Sequence, residues 1–246
     1  MRILLLNPNT SCSLTLRMTE VAEAAAPEVD IVPATATRGF PYISSRAEAD
    51  IAATFVLEMI AEHQDVDAVI VAAFGDPGLV AARELFDMPI VGMADAAMLT
   101  ACALGERFAY VTFSGRLAAW LRNGVERTGL TSRFAGIFYP SLPFASIDRV
   151  QEDLAAPLIE LSHEAAEAGA DVLILAGAPL AGFAAAVAPR LAVPAVDPIS
   201  AAVLQASSLV RLGVHKAKHG AFARPPAKSA TGLADALSRR VEHKDA

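Results

Sequence analysis

The residues of this chain that could transfer a proton or attack a substrate are few, and most lie outside any catalytic pattern. Cys12 follows a polar turn at the start of a predicted helix, where the pKa of a thiol tends to fall. A catalytic Cys12 is one interpretation, a bystander in a capping region is the simpler one, and Cys102 lies in an apolar predicted helix of the core. Asp76 is the acid nearest to the ligand site predicted below. In an Asp-Pro-Gly turn, however, a carboxylate more often bonds to backbone than transfers a proton.

Sequence signatures of cofactor, metal and serine chemistry are absent. No G-x-G-x-x-G follows a predicted strand and no G-x-x-x-x-G-K-[ST] occurs, so we expect neither a dinucleotide nor a nucleoside triphosphate. The five histidines are scattered without metal-ligand spacing, so no metal site is predicted. Ser45 and Ser114 lie in no G-x-S-x-G elbow. The sequence therefore predicts chemistry without a cofactor.

Polar turns supply the candidate binding residues. The stretches "NPNTS" and "YISS" come just before predicted helices, and free N–H groups at the first of these helices favour an anion such as a carboxylate. The stretch "VTFSG" adds polar residues from the second half of the chain. Helix capping would account for one polar residue in each turn, so both interpretations stay open. The candidates, which together suit a carboxylate, an imide or a ureido group, are Asn7, Asn9, Thr10, Tyr42, Ser44, Ser45, Thr112 and Ser114.

The elements that must position these turns alternate along the chain. Short β-branched runs are typical of parallel strands that are buried on both faces, and the segments between them have helical spacing. The predicted strands are residues 2–6, 29–34, 67–74 and 88–93. The predicted helices are residues 13–26, 48–63 and 79–86. Such alternation predicts an α/β fold with parallel sheets.

The second half of the sequence repeats the first. "RFAYVTFSG" from Arg107 mirrors "RILLLNPNT" from Arg2, 105 residues earlier, and two further pairs of segments repeat at offsets of 104 and 105 residues. A period this long indicates a duplicated domain. We predict two similar α/β lobes, 1–98 and 99–205, with residues 206–246 packing back on the first lobe.

The duplication predicts where a ligand would bind. Ligands of open parallel sheets lie beyond the carboxyl ends of the strands, so two facing lobes would enclose a cleft lined by matching turns. The offset of 104 residues places Ala73 in "AFGDPG" opposite Gly177 in "GAPLAG". Neighbouring residues expected to contact the ligand are Phe74, Gly75, Ala178 and Pro179. The alternative is that these turns are only tight βα connections.

Composition narrows the function classes. Hydrophobic residues make up 54% of the 246 residues, which predicts a large buried core. The formal net charge of −7 argues against a nucleic-acid partner or an anionic membrane surface. No apolar run is long enough for a membrane span or a signal peptide, so we expect a cytoplasmic protein with reduced thiols. The apolar helices leave room for a homo-oligomer.

The motifs taken together resemble the Asp/Glu/hydantoin racemase family. The resemblance rests on "LLLNPNTS", "YISSRAEADIA", "AFGDPGLVAARELFDMPIVGMADAAM", "RFAYVTFSGR" and "GAPLAGFA", and it covers nearly the whole chain in order. It implies two Rossmann-like lobes with the active site between them. It also implies a racemase or isomerase that needs no cofactor and moves a proton at the carbon alpha to a carboxylate or ureide carbonyl.

The resemblance breaks at the two positions that matter most for catalysis. Racemases of this family use one cysteine from each lobe, and these cysteines fall on Ala73 and Gly177 of this chain. A methyl group and a hydrogen accept no proton, so two-thiol racemization is excluded for the sequence as written.

Three explanations stay open. The first is that Ala73 is an engineered replacement of a native cysteine within an otherwise intact "FGDPG" frame. Or the native enzyme has one thiol, a plan resembling arylmalonate decarboxylases, since the neighbours of Gly177 also depart from the family's "GCAGM" pattern. Or the chain has lost catalysis and kept a binding site for small acids.

Overall fold

Two four-stranded parallel sheets form the framework of the protein, and the computed structural model describes residues 1–245. The strands are β1 (Arg2–Asn7), β2 (Asp30–Thr35), β3 (Ala68–Val71), β4 (Ile90–Gly92), β5 (Phe108–Thr112), β6 (Phe134–Phe138), β7 (Val172–Ala176) and β8 (Ala195–Val196). The helices are α1 (Cys12–Ala25), α2 (Arg46–Glu62), α3 (Leu79–Leu85), α4 (Met93–Leu104), α5 (Ala118–Arg127), α6 (Val150–Asp153), α7 (Ala155–Glu167), α8 (Phe183–Val187), α9 (Pro198–Leu212) and α10 (Asp235–Val241).

The two sheets have the same topology. The first has the order β2-β1-β3-β4 and the second the order β6-β5-β7-β8, so each strand of one sheet has a counterpart about 105 residues away in the other. All pairs are parallel, and β1 pairs with β2 from Arg2 to Asn7 without a shift of register. The predicted α/β fold with parallel sheets is confirmed.

The strand predictions were wrong in two details. Residues 29–34 do not form a strand buried on both faces, because β2 is an edge strand with exposed residues and carries Pro33, which edge positions tolerate. The strand predicted over 67–74 ends at Val71, and the chain leaves the sheet before Ala73. This early exit directs Ala73 toward the second lobe.

Helices exchanged between the lobes form the central core. Helix α4 follows the first sheet but also packs on β7, while α9 follows the second sheet and packs on β3, and the two helices contact each other. Their buried faces share one cluster with Ile70 of the first sheet and Ile174 of the second. Each fully buried aliphatic side chain contributes about 1.5–3 kcal/mol. The inner faces of the two sheets share this cluster, and their outer faces pack in separate hydrophobic clusters.

The residues after α9 contact the first sheet's side of the molecule. Helix α10 packs on α2. Lys216 Nζ donates to the carbonyls of Glu84 and Phe86, at 2.7 and 2.8 Å, where α3 ends. Arg240 donates to Leu85 O at 2.8 Å and pairs with Asp87 at 2.7 Å. Cations at a helix C-terminus are favourable because the last carbonyls carry partial negative charge.

Within residues 1–245, no helix combines the length and the apolar composition that crossing a membrane requires.

Candidate active site between the two sheets

A small cavity lies where the turns after β3 and β7 meet. Its volume is about 30 Å³, which is room for one or two water molecules. Both Ala73 and Gly177 line it. The full lining is Asn9, Tyr42, Ile43, Ala73, Phe74, Thr112, Phe113, Leu117, Trp120, Leu121, Ala176, Gly177 and Ala178.

The turn after β3 supplies the first half of the cavity. Ala73 is 7% exposed and packs with Ile43 and the small residues of α2. Its carbonyl accepts from Asp76 N at 2.9 Å, which closes a tight turn through Gly75 at φ 112°. The turn thereby places the methyl group of Ala73, which forms no hydrogen bond, against the cavity.

The turn after β7 supplies the second half, and here the backbone conformation favours glycine. Gly177 has φ 136° and ψ 139°, a conformation that residues with a side chain rarely adopt. A Cβ at this position would lie 2.7 Å from Phe113 Cε1. The two halves of the site are therefore unequal, because the aromatic ring fills the space that a side chain at 177 would need.

Asn9 is a buried polar side chain on the cavity wall. It is 3% exposed, and its Oδ1 accepts from Asn7 Nδ2 at 3.0 Å and from Ser11 N at 2.9 Å. These two bonds fix the orientation of the amide, and its Nδ2 group, which has no hydrogen-bond partner among the described residues, is a donor available to a ligand. Thr112 offers less, because its hydroxyl donates to Ala176 O at 2.7 Å.

Tyr42 brings a neutral hydroxyl to the lining. Burial raises the pKa of Tyr42, and the nearby Glu48 carboxylate raises it further, so the phenol stays protonated at neutral pH. Its ring lies 5.9 Å from that of Phe113, between centroids. Tyr42 is therefore a hydrogen-bond donor rather than a base.

Asp76 does not line the cavity and bonds to backbone, as the Asp-Pro-Gly pattern of its turn predicts. Its carboxylate oxygens accept from Ala94 N at 3.0 Å and Asp95 N at 2.9 Å at the start of α4. Burial, with a smaller contribution from the Asp95 charge, raises the pKa of Asp76 to about 7. Asp197 does the equivalent work in the second lobe, accepting from Gly182 N at 2.6 Å. Each acid therefore ties the turn after β3 or β7 to the helix that follows the next strand, α4 or α9.

Several predicted contact residues lie off the cavity wall and already have partners. Asn7 is fully buried and donates to Thr15 Oγ1 at 2.9 Å. Ser45 caps α2 and Ser114 caps the 3-10 turn at 115–117. The remaining ones follow the same pattern: Thr10 N donates to Phe40 O, Ser44 Oγ donates to Glu48, Gly75 packs under Trp120, and Pro179 O accepts from Arg17 and Gln151. Ligand contact by these residues stays a prediction.

Sequence reasoning missed the apolar part of the lining, which comprises Ile43, Phe113, Leu117, Trp120, Leu121 and Ala176. The helical spacing of Leu117, Trp120 and Leu121 was the available signal. The same spacing is typical of ordinary core packing, so it does not point to a site. Neither cysteine lines the cavity: Cys12 is exposed and Cys102 is half-buried.

Comparison with known proteins shows which family the sequence and the fold of this chain resemble. The sequence profile described as Asp/Glu/Hydantoin racemase matches residues 3–206. A hydantoin racemase of Paenarthrobacter aurescens is 35% identical over 93% of this chain and 99% of its own. The structure of an allantoin racemase from Klebsiella pneumoniae superposes with a TM-score of 0.89 at 34% identity, covering 97% of this chain and 99% of that one.

A more distant likeness concerns the fold alone. An arylmalonate decarboxylase structure has a TM-score of 0.60 at 19% identity, covering 91% of this chain and 98% of that one. The match over most of the chain and the high identity to the racemases are decisive for membership. The chain belongs to the Asp/Glu/hydantoin racemase family and has its place among that family's racemase and isomerase enzymes.

Proposed function

We propose that the inter-lobe cavity binds a small cyclic ureide or carboxylate, and that residues 73 and 177 occupy the two acid/base positions of a racemase site. The observation that carries the proposal is that Ala73 and Gly177, on equivalent turns of the two sheets, line one cavity. The similarity to a hydantoin racemase and an allantoin racemase supports a five-membered ureide ring as the ligand.

Binding and charge stabilisation are the parts of the reaction that this chain retains. The Asn9 amide donors and the neutral Tyr42 hydroxyl would hold a carbonyl or carboxylate oxygen and stabilise negative charge that develops on it. Proton transfer at the alpha carbon needs a titratable group on each face, and neither Ala73 nor Gly177 supplies one. As written, the chain does not racemise by a two-thiol route.

The test restores one thiol. The chain with Ala73 should bind hydantoin without exchanging its alpha hydrogen for deuterium, whereas Ala73→Cys should exchange it. Cys12→Ser in both backgrounds is the matched control, because it removes the exposed native thiol. A folded Ala73→Cys variant that exchanges none of the hydantoins, allantoin, aspartate or glutamate would remove the racemase proposal.

One observation favours a second candidate, the decarboxylation of malonate-like acids. Phe113 occupies the space that a side chain at 177 would need, which leaves position 73 as the one of the two positions where a thiol would be placed, and one thiol suffices to protonate the enolate left by carbon dioxide release. Carbon dioxide release from a disubstituted malonate by Ala73→Cys, without racemization of hydantoins, would select this candidate. Ligand binding with no turnover in any variant would instead indicate a binding protein.

A further inference from the structure

One wall of the cavity comes from the start of α5 and the turn before it. Leu117, Trp120 and Leu121 lie three and four residues apart, which places them on one helical face. Trp120 is the only tryptophan of the chain. A Cβ built on Gly75 would lie within 2.8 Å of three carbons of the Trp120 six-membered ring. The ring therefore closes directly on the turn that carries Ala73.

The side chains of this wall present carbon to the cavity. With Phe74 beside them, Leu117, Leu121 and the benzo edge of Trp120 offer no acceptor and no donor at this surface. The polar groups of the lining come from other elements, above all Asn9. A ureide ring held by Asn9 would therefore turn a substituent toward an apolar surface.

This arrangement separates two ligands that share the same ring. The ureido arm of allantoin carries N–H groups and a carbonyl that would lose water against Leu117 and Trp120 without a protein partner. An alkyl arm of similar size loses nothing and gains from burial. The chemistry of the wall thus favours an apolar substituent.

The size of the cavity adds a second constraint. A volume of about 30 Å³ leaves little free space in the cavity, and the Trp120 wall bounds that space on one side. Arg46 of α2 donates to Asn123 of α5, which ties this wall to the first lobe. The position of the Trp120 ring therefore limits how large the substituent on the ureide ring can be.

Resting on the proposed function, we propose that Trp120 is a specificity-determining residue that selects hydantoins with a small apolar substituent at ring carbon 5 over allantoin. In the native chain, 5-isopropylhydantoin should bind at least about tenfold more tightly than allantoin, as expected when buried polar groups lose their partners. Quenching or shift of the Trp120 fluorescence reports binding in the native protein, and calorimetry measures it in all variants.

Trp120→Ala tests the size limit. It should raise the affinity for 5-benzylhydantoin relative to 5-isopropylhydantoin by at least about tenfold, because the benzyl group enters the vacated space. Phe222→Ala, which truncates an exposed aromatic ring outside the cavity, should leave the ratio unchanged. Trp120→Phe should give an intermediate ratio, and it decides the matter if the alanine variant does not fold.

The outcomes separate the two proposals. Equal or tighter binding of allantoin by the native chain, or an unchanged size ratio in variants that bind, would overturn the role of Trp120 and leave the proposed function standing. Binding of no hydantoin and no small carboxylate by any folded variant would overturn both.

Discussion

Substitution of Gly177 tests the asymmetry of the site in quantitative terms. In Gly177→Ala, the backbone at φ 136° and ψ 139° would have to hold a side chain, which costs about 1–3 kcal/mol. The added methyl would also lie 2.7 Å from Phe113 Cε1, about 1 Å closer than an ordinary carbon–carbon contact. Overpacking of this kind costs about 1–3 kcal/mol. The free energy of unfolding should therefore fall by roughly 2–6 kcal/mol.

Urea denaturation of three further variants separates the two contributions. Gly213→Ala has the conformational cost alone, since Gly213 has φ 61° and no atom within 4 Å of the added methyl, and should lose about 1–2 kcal/mol. Phe113→Leu removes the ring atom that a residue at 177 would strike. In the double variant Gly177→Ala/Phe113→Leu, about 1–3 kcal/mol of the loss should be recovered relative to the sum of the single variants.

A clear result would refute this reasoning. If Gly177→Ala unfolds within about 0.5 kcal/mol of the native protein, position 177 tolerates a side chain. If the losses of the two single variants simply add, Phe113 does not occupy the space of a side chain at 177. Either finding would reopen the two-thiol plan for this backbone.

Three other predictions concern the buried acid Asp76, the cavity amide Asn9 and the cation at the end of α3. Burial raises the pKa of Asp76 from 3.8 to about 7, so its contribution to stability is complete below pH 4 and is lost as the pH rises through 7. The unfolding free energy of the unsubstituted chain should therefore fall by about 4 kcal/mol more than that of Asp76→Asn between pH 4 and 7. Identical pH profiles from urea denaturation would contradict this prediction. Asn9→Asp keeps the oxygen that accepts from Ser11 N but loses the Nδ2 donors, so calorimetry should show about tenfold weaker hydantoin binding. Unchanged affinity would exclude the Asn9 amide as a donor to the ligand. Lys216→Met should lower the unfolding free energy by about 1–2 kcal/mol, because the carbonyls at the end of α3 lose their donor. Lys218→Met, which changes an exposed lysine, is the control and should alter the unfolding free energy little. Equal effects would show that Lys216 does not stabilise the end of α3.

The sequence was sufficient to predict two similar parallel sheets, because the duplication is visible as repeated segments in the sequence itself. The offset of about 105 residues appears in the structure as two sheets of the same strand order, and Ala73 and Gly177, which that offset pairs, line one cavity. Hydrophobic pattern alone could not separate edge from central strands. An edge strand such as β2 is as apolar in parts as its neighbours, and only its position in the sheet exposes it.

The candidate site was harder to predict than the fold. Capping serines and ligand-binding serines look alike in sequence, and Ser45 and Ser114 proved to cap. The Trp120 wall was missed because a helix face that lines a cavity has the same spacing as one that packs in a core. The orientation of Asn9 depends on two hydrogen bonds that no sequence pattern displays.

The most direct measurement of the central claim is a crystal structure of the chain with Ala73 and 5-isopropylhydantoin bound. The account predicts ring carbon 5 between the two turns, within roughly 5 Å of Ala73 Cβ, which leaves the space of one missing sulfur. It also predicts the opposite face of the ring against Gly177. A ligand bound on another surface of the protein, with the cavity between Ala73 and Gly177 still closed, would contradict it.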